Sequence, residues 1–423
     1  MANNIPISIY TPRQSPRLTY VANWLSEIWQ TEVQVVTDFP QNGATMLCYG
    51  DAKPGVLSIP DAGLLWETGI RQVRPETGTW EDLPTLFPGA GEVPFDLFSA
   101  IFFLLSRYEE YLPFTPDAHG RYPATESILF KIDILRKPVL DLWLEKVRRR
   151  LHLPATVYQR QLTYDIDRAF HIQNHPAPRG WGLFIKALLK GSYSKATVIR
   201  QMATGKAQDP LDAFDFLAEI HRHVRPEPFF FVLAAEKNDA YDVNLSPHHP
   251  AMQQLIKKLA TIGKVGLHPS YHSSEQPAFI TAEKNILEKT SGQSIFYSRQ
   301  HFMRLQLPHT YSKLLAAGIT DDFSMGYGSH LGFRAGTGRS FLWYDLSLEK
   351  EQTLRVHPFP FMDTTAHFHE KLDAEKAFSV LKEMETHLKN CGSVLIPVFH
   401  NYSLGTDPAW KGWQQAYRQW LLA

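Results

Sequence analysis

Cysteine is almost absent. Cys48 and Cys391 are the two in 423 residues, too few for a disulfide framework and in keeping with a reducing compartment. Neither sign of charge is in excess: Lys plus Arg and Asp plus Glu number 43 each, which removes any whole-chain electrostatic case for nucleic acid as a partner. Long apolar runs are lacking too. The most apolar segment, "DLFSAIFFLLSRYEEYLP" at 96–113, reaches about ten apolar residues before charge intervenes, against about twenty for a membrane span, and reads as a buried helix. The opening "MANNIPISIYTPRQSPRLTY" shows no basic leader and no apolar core, so no signal peptide and no transmembrane segment are expected, and a cytoplasmic location is. No repeat or low-complexity tract stands out. What remains is ordinary globular composition, 44% hydrophobic and 20% charged, in a chain long enough for two domains.

Up to residue 157 the pattern is mixed. "ISIYT", "VQVVTDF", "MLCYG" and "GVLSIP" have strand character, while "LTYVANWLSEIWQ" and "PVLDLWLEKVRRRL" have helical periodicity. Arg148, Arg149 and Arg150 close the second helix, where cations suit the C-terminal dipole. From Gln161 a different rhythm begins, in which seven short apolar runs, "QLTYDI", "PFFFVLA", "KVGLH", "SIFYS", "GITDD", "TLRVHPF" and "SVLIPVFH", mostly alternate with helical patterns. That alternation predicts an α/β fold of parallel strands wrapped by helices, as a barrel or an open sheet. The expected division is a mixed α+β leading domain over 1–157 and a second domain over 158–423.

In such folds ligands sit at the carboxyl ends of the strands. Asp165 and Asp167 end the first run, His268 and His272 the third, Asp321 and Asp322 the fifth and His400 the seventh, with Arg299 following the fourth. Two imidazoles and one carboxylate give three ligands to a divalent ion and leave open positions, the arrangement of a catalytic site. One of Asp165 and Asp167 can ligate while the other accepts a proton from water, an arginine keeping it ionised and a histidine serving as acid. Together these describe metal-assisted hydrolysis of an acyl bond.

At these residues the sequence resembles the polysaccharide deacetylases, the NodB-homology domain of carbohydrate esterase family four, over about 161–423. The resemblance implies a distorted barrel of seven parallel strands and removal of N- or O-acetyl groups from a carbohydrate with a divalent ion, zinc first and cobalt or another ion as alternatives. "TYDID" resembles the first motif, with Asp165 as base and Asp167 as metal ligand; "HPSYH" supplies His268 and His272 as the other ligands. "RQHF" resembles the third, with Arg299 orienting the base and the backbone N–H of Phe302 facing substrate. His301 reads there as a buried polar residue rather than a ligand. The fourth, within "DDFSMGYGSHLGFRAGT", offers Asp321 or Asp322 to pair with the acid, Asp322 preferred, and "LIPVFH" makes His400 that acid. "GFRAGT" and "HPFPFMDTT" resemble one bacterial branch that carries a leader domain like residues 1–155. The resemblance puts Tyr327, Arg334 and Met362 along the substrate groove, with a structural carboxylate pair as the alternative for Arg334.

Between the first and second runs, "HIQNHPAPRGWGLFIKALLKGSYSKATVIRQMATGKAQ" carries six basic residues and no acid. It reads as a helical lid, or as a peripheral contact with an anionic membrane through 178–206, at the inner membrane. Two other functions compete with the hydrolase: a non-catalytic carbohydrate-binding protein on the same fold, and a non-haem iron oxygenase, whose facial triad uses the same ligand types. The oxygenase fits poorly with alternating strand and helix.

Overall fold

A computed structural model describes residues 6–39, 45–174, 185–186, 189, 193–204 and 206–423. The early apolar runs form β1 (Ile7–Tyr10), β2 (Val33–Val36), β3 (Met46–Tyr49) and β4 (Leu57–Ile59), parallel in the order β2-β1-β3-β4. The crossover helix Pro16–Trp29 starts where Ser15 accepts from the Leu18 N–H and Pro16 fixes the first turn. A hairpin of β5 (Thr77–Trp80) and β6 (Leu83–Leu86) follows. The most apolar segment becomes the helix Leu97–Leu105, every residue of it buried, which is why it can be apolar all round. The helix Val139–Arg150 ends in its arginines as expected, and Arg148 and Arg149 both pair with Glu145.

The later runs supply β7 (Gln159–Arg160), β8 (Thr163–Ile166), β9 (Phe229–Leu233), β10 (Lys264–His268), β11 (Tyr297–Ser298) and β12 (Asp321–Asp322). After them come β13 (Phe341–Asp345), β14 (Lys350–Val356), β15 (Phe361–Met362), β16 (Val394–Leu395) and β17 (Pro397–His400). Nine of these form one sheet in the order β13-β14-β12-β11-β10-β9-β8-β17-β15, while β7 pairs with β16. All neighbours in the large sheet are parallel except β13, which returns antiparallel on β14. The sheet therefore has two strands, β13 and β15, beyond the seven runs read from sequence, and it is not closed by hydrogen bonds between its end strands.

It is nevertheless strongly curled. Phe323, just after β12, and Met362, on the edge strand β15, meet Phe229, Phe231 and Val398 in one small buried cluster on the concave face. The alternate residues Tyr164, Phe230, Val232, Leu267 and Phe399 belong instead to the main core on the convex face, the two-residue period of a sheet buried on both sides. That main core is continuous from Ile7 to Leu421, so the leading region and the later one share apolar packing.

Polar ties cross the same boundary. Tyr20 donates to the Leu342 carbonyl at 2.7 Å, and Arg17 pairs with Glu349 at 2.5 Å. Arg334, expected in a substrate groove, is buried in a two-pronged pair with Glu110 at 2.8 and 2.6 Å, and Glu110 also takes Arg107 at 2.8 Å. Tyr327 is buried in this network too, its hydroxyl 3.4 Å from Arg107 and its ring under Arg334. Both therefore lock the loop after β12 against the leading region; a buried guanidinium needs a carboxylate, and Glu110 meets that need. Among the described residues no helix is long and apolar enough to cross a membrane. Much of the basic stretch 178–206 lies outside the described residues.

Candidate active site and metal centre

Period two explains why the "DID" spacing matters. Asp165 and Asp167 sit two residues apart at the end of β8, so both carboxylates turn to the concave face. Register then aligns the neighbours: His400 of β17 lies opposite Asp165, and Asp165 lies opposite Phe231 of β9. His268 ends β10 on the same face.

Asp165 is fully buried, with Oδ1 accepting from Arg299 Nη1 at 2.7 Å and Oδ2 without a hydrogen-bond partner among the described residues. Arg299 is itself buried and fixed by Thr163 Oγ1 at 2.9 Å and the Phe323 carbonyl at 3.0 Å, with the Phe231 ring 4.5 Å from its guanidinium carbon. One oxygen of Asp165 is thus held, and the other faces His268 Nε2 at 3.9 Å without a hydrogen bond among the described residues.

Asp167, His268 and His301 each offer a ligand atom, and these atoms all lie within 4.8 Å of one another. Asp167 Oδ1 is 3.0 Å from His268 Nε2, and its Oδ2 is 3.9 Å from His301 Nε2. The far nitrogen of each imidazole is tied down: His268 Nδ1 donates to the Arg299 carbonyl at 2.5 Å, and His301 Nδ1 to Asp242 Oδ1 at 2.7 Å. Both Nε2 atoms are therefore the ones presented to the centre, the tautomer a metal ligand requires. Asp167 Oδ1 is a buried oxygen with no hydrogen-bond partner of good geometry among the described residues. Burial works against the Asp167 charge, yet His400, His268 and His301 around it hold its pKa well below the ordinary carboxylate value. Burial likewise opposes charge on His268, but Asp165 and Asp167 raise its pKa. The depressed Asp167 carboxyl and the raised His268 imidazole both mark a centre that favours positive charge, and its N,N,O donor set fits a divalent ion such as zinc.

His272 is not part of this group. The 3-10 turn Tyr271–Ser274 after β10 swings it outward, where it is 41% exposed, 2.9 Å from Asp239 and 3.6 Å from Glu275. His301, read from sequence as a buried polar residue, occupies the third position instead. It follows β11 by three residues, and the rule that chemistry gathers at strand ends could have found it.

His400 also faces Asp167, its Nε2 3.4 Å from Oδ2. Its partner is Asp363, which accepts from His400 Nδ1 at 2.6 Å and from the His400 backbone N–H at 2.7 Å. Burial lowers the affinity of His400 for a proton, but Asp363 and Asp167 outweigh it and push the pKa up to about 9. Asp322 does not reach His400: Phe323 joins the concave cluster, and Asp322, one residue earlier, faces the other way and accepts from Ser298 and Ser324 at 2.8 and 2.9 Å. Asp321 is also elsewhere, paired with His357 at 2.8 Å. Asp363 stands within "HPFPFMDTT", directly after the short strand β15, whose two residues gave little periodicity to read.

Phe302 follows His301 in a left-handed conformation, φ 56° and ψ 12°, and its ring lies 4.6 Å from that imidazole. Beside it Tyr241 and Tyr271 stack at 3.8 Å, with Arg304 4.1 Å from the Tyr271 ring. Met362 packs in the concave cluster beneath the site.

Residues 7–154 match the profile of a family of unknown function, DUF7033. No curated protein matches the chain. Solved structures similar to it include a Mycobacterium smegmatis protein assigned as a polysaccharide deacetylase, 14% identical, covering 64% of this chain and 84% of that one at a TM-score of 0.41. A polysaccharide deacetylase from Bacillus cereus is 12% identical, covering 62% of this chain and 87% of that one at a TM-score of 0.29. The catalytic domain of a peptidoglycan N-acetylglucosamine deacetylase from Eubacterium rectale is 13% identical, covering 63% and 86% at the same score.

Proposed function

We propose that the chain is a metal-dependent hydrolase that removes acetyl groups from a carbohydrate. The observation that carries the reading is the convergence on one concave rim of three ligand-type side chains, flanked by a carboxylate held by Arg299 and an imidazole held by Asp363. Asp167, His268 and His301 would hold the ion, zinc being the first choice for this donor set. When bound, such an ion supplies Lewis acidity, lowering the pKa of water and polarising an acyl oxygen.

The chain's own groups do the proton work. Asp165 Oδ2 takes a proton from the water that attacks the acetyl carbon, while Arg299 keeps Oδ1 occupied and the carboxylate oriented. As the C–N or C–O bond breaks, His400 gives its Nε2 proton to the departing amine or hydroxyl, leaving acetate and the free sugar. Its raised pKa keeps that proton in place at neutral pH. Asp363 takes the orienting role expected of Asp322. The backbone N–H of Phe302, the residue after His301, would be the donor to the acyl oxygen.

The test is acetate release from a panel of N- and O-acetylated sugars, using protein stripped of metal and resupplied with Zn²⁺ or Co²⁺. Asp165→Asn should keep its metal and lose about 100-fold or more in rate. Turnover at the wild-type rate in that variant removes Asp165 from the base role. A metal-loaded wild type that releases no acetate from any substrate favours a carbohydrate-binding protein on this scaffold.

A further inference from the structure

The region that matches the family of unknown function reaches the loop that carries His301 through residues 117–121. Residues 117–121 form a tight turn in which Gly120 N–H donates to the Asp117 carbonyl at 2.9 Å and Asp117 N–H to the Arg121 carbonyl at 3.0 Å. Asp117 Oδ1 accepts from the His119 and Arg121 backbone N–H groups at 2.9 and 3.0 Å, and its Oδ2 takes Arg121 Nε at 2.7 Å. Gly120 has φ +75°, a conformation that calls for glycine, and a Cβ there would lie 2.8 Å from Gln306 Nε2 and displace that amide.

This turn grips the segment that carries His301. Arg121 Nη1 donates to the Phe302 carbonyl at 2.7 Å. Arg304 Nε donates to the His119 carbonyl at 3.1 Å, and Gln306 Nε2 to the Gly120 carbonyl at 2.7 Å. The His119 ring lies 5.0 Å from that of Phe302. The gripped segment needs holding, because Phe302 and Met303 both adopt positive φ, 56° and 52°, which side chains with a Cβ resist. Relaxation of either would turn the chain directly after His301 and move its imidazole relative to Asp167 and His268.

We propose that the leading region acts as a clamp on the metal-binding loop, Arg121 holding through the Phe302 carbonyl the left-handed turn that aims His301 at the site. Arg121 is then a positioning residue. The inference rests on the metal reading above and assigns a role to a region the chemistry does not otherwise use.

The experiment compares full-length wild type, Arg121→Ala and His301→Ala, each stripped of metal and titrated with Co²⁺ and Zn²⁺, reading the Kd and the Co²⁺ absorption spectrum, with thermal unfolding as the check on folding. The clamp predicts that Arg121→Ala raises the Kd about ten-fold and alters the Co²⁺ bands, as loss of a supporting partner does elsewhere. A wild-type Kd and spectrum in Arg121→Ala, alongside lost binding in His301→Ala, overturns the clamp and leaves the metal reading standing. Wild-type binding in His301→Ala overturns both. Should Arg121→Ala fail to fold, Asp117→Asn decides, since it frees the guanidinium while keeping the Oδ1 acceptor: an altered Co²⁺ spectrum and a weakened Kd support the clamp, and an unchanged pair overturns it.

Discussion

Each imidazole at the site is aimed through its Nδ1, by the Arg299 carbonyl for His268, by Asp242 for His301 and by Asp363 for His400. His272 has its partners, Asp239 and Glu275, on the outside of the rim. From sequence alone the His-x-x-x-His spacing looks like the stronger signal, because spacing is visible and partners from distant loops are not. Asp165, Asp167, His268, Arg299 and His400 were legible as one constellation, since each ends or follows an apolar run. Asp363 was not, because β15 is two residues long and lies outside the seven runs; His301 follows the same run as Arg299 but is outweighed by the His-x-x-x-His spacing of His268 and His272. Asp322 illustrates a separate residue-level effect. Burial, against hydrogen bonds from Ser324 and Ser298, pushes its pKa up to about 6. A carboxyl raised in the folded state contributes stability that is fully present below its unfolded value, near 4, and is lost as pH rises through 6. Asp322→Asn does not titrate, so urea unfolding should show the wild type losing on the order of 2–3 kcal/mol relative to the variant between pH 4 and pH 7. A difference that stays constant with pH would mean the group is not perturbed.

At the scale of elements, strand alternation decides which face carries chemistry. The runs from β8 to β12, with β14 and β17, were readable because apolar residues fill them, as strands covered on both faces require. The hairpin partner β13 escaped notice since "FLWYD" follows a glycine-rich loop without a helix before it. Gly266 shows how finely the concave face is fitted. It lies opposite Phe231, and a Cβ there would stand 2.6 Å from the Phe231 ring. Phe231 in turn packs under Arg299. Gly266→Ala should therefore destabilise the protein by about 1–3 kcal/mol and lower hydrolytic rate by disturbing the Arg299–Asp165 pair. Denaturant unfolding and turnover measured on the same variant check both halves.

Across the whole molecule, the change of rhythm near residue 157 is visible in the sequence, but the shared core is not, because no local pattern reports contacts more than a hundred residues apart. The tie with most at stake is Glu110, which faces Arg334 and Arg107 in a buried network. Glu110→Ala should cost about 3–5 kcal/mol by leaving buried guanidinium charge uncompensated. Its unfolding midpoint in urea should fall accordingly, and an unchanged midpoint would show that the two regions do not depend on this contact.

Metal content per chain, determined by elemental analysis after dialysis of wild type, His301→Ala and His272→Ala, bears on all of these levels together. Wild type and His272→Ala should each retain about one divalent ion, as a single three-ligand site implies, and His301→Ala should be largely depleted. Full loading of His301→Ala, with loss in His272→Ala, would place the ion elsewhere and remove the site described above.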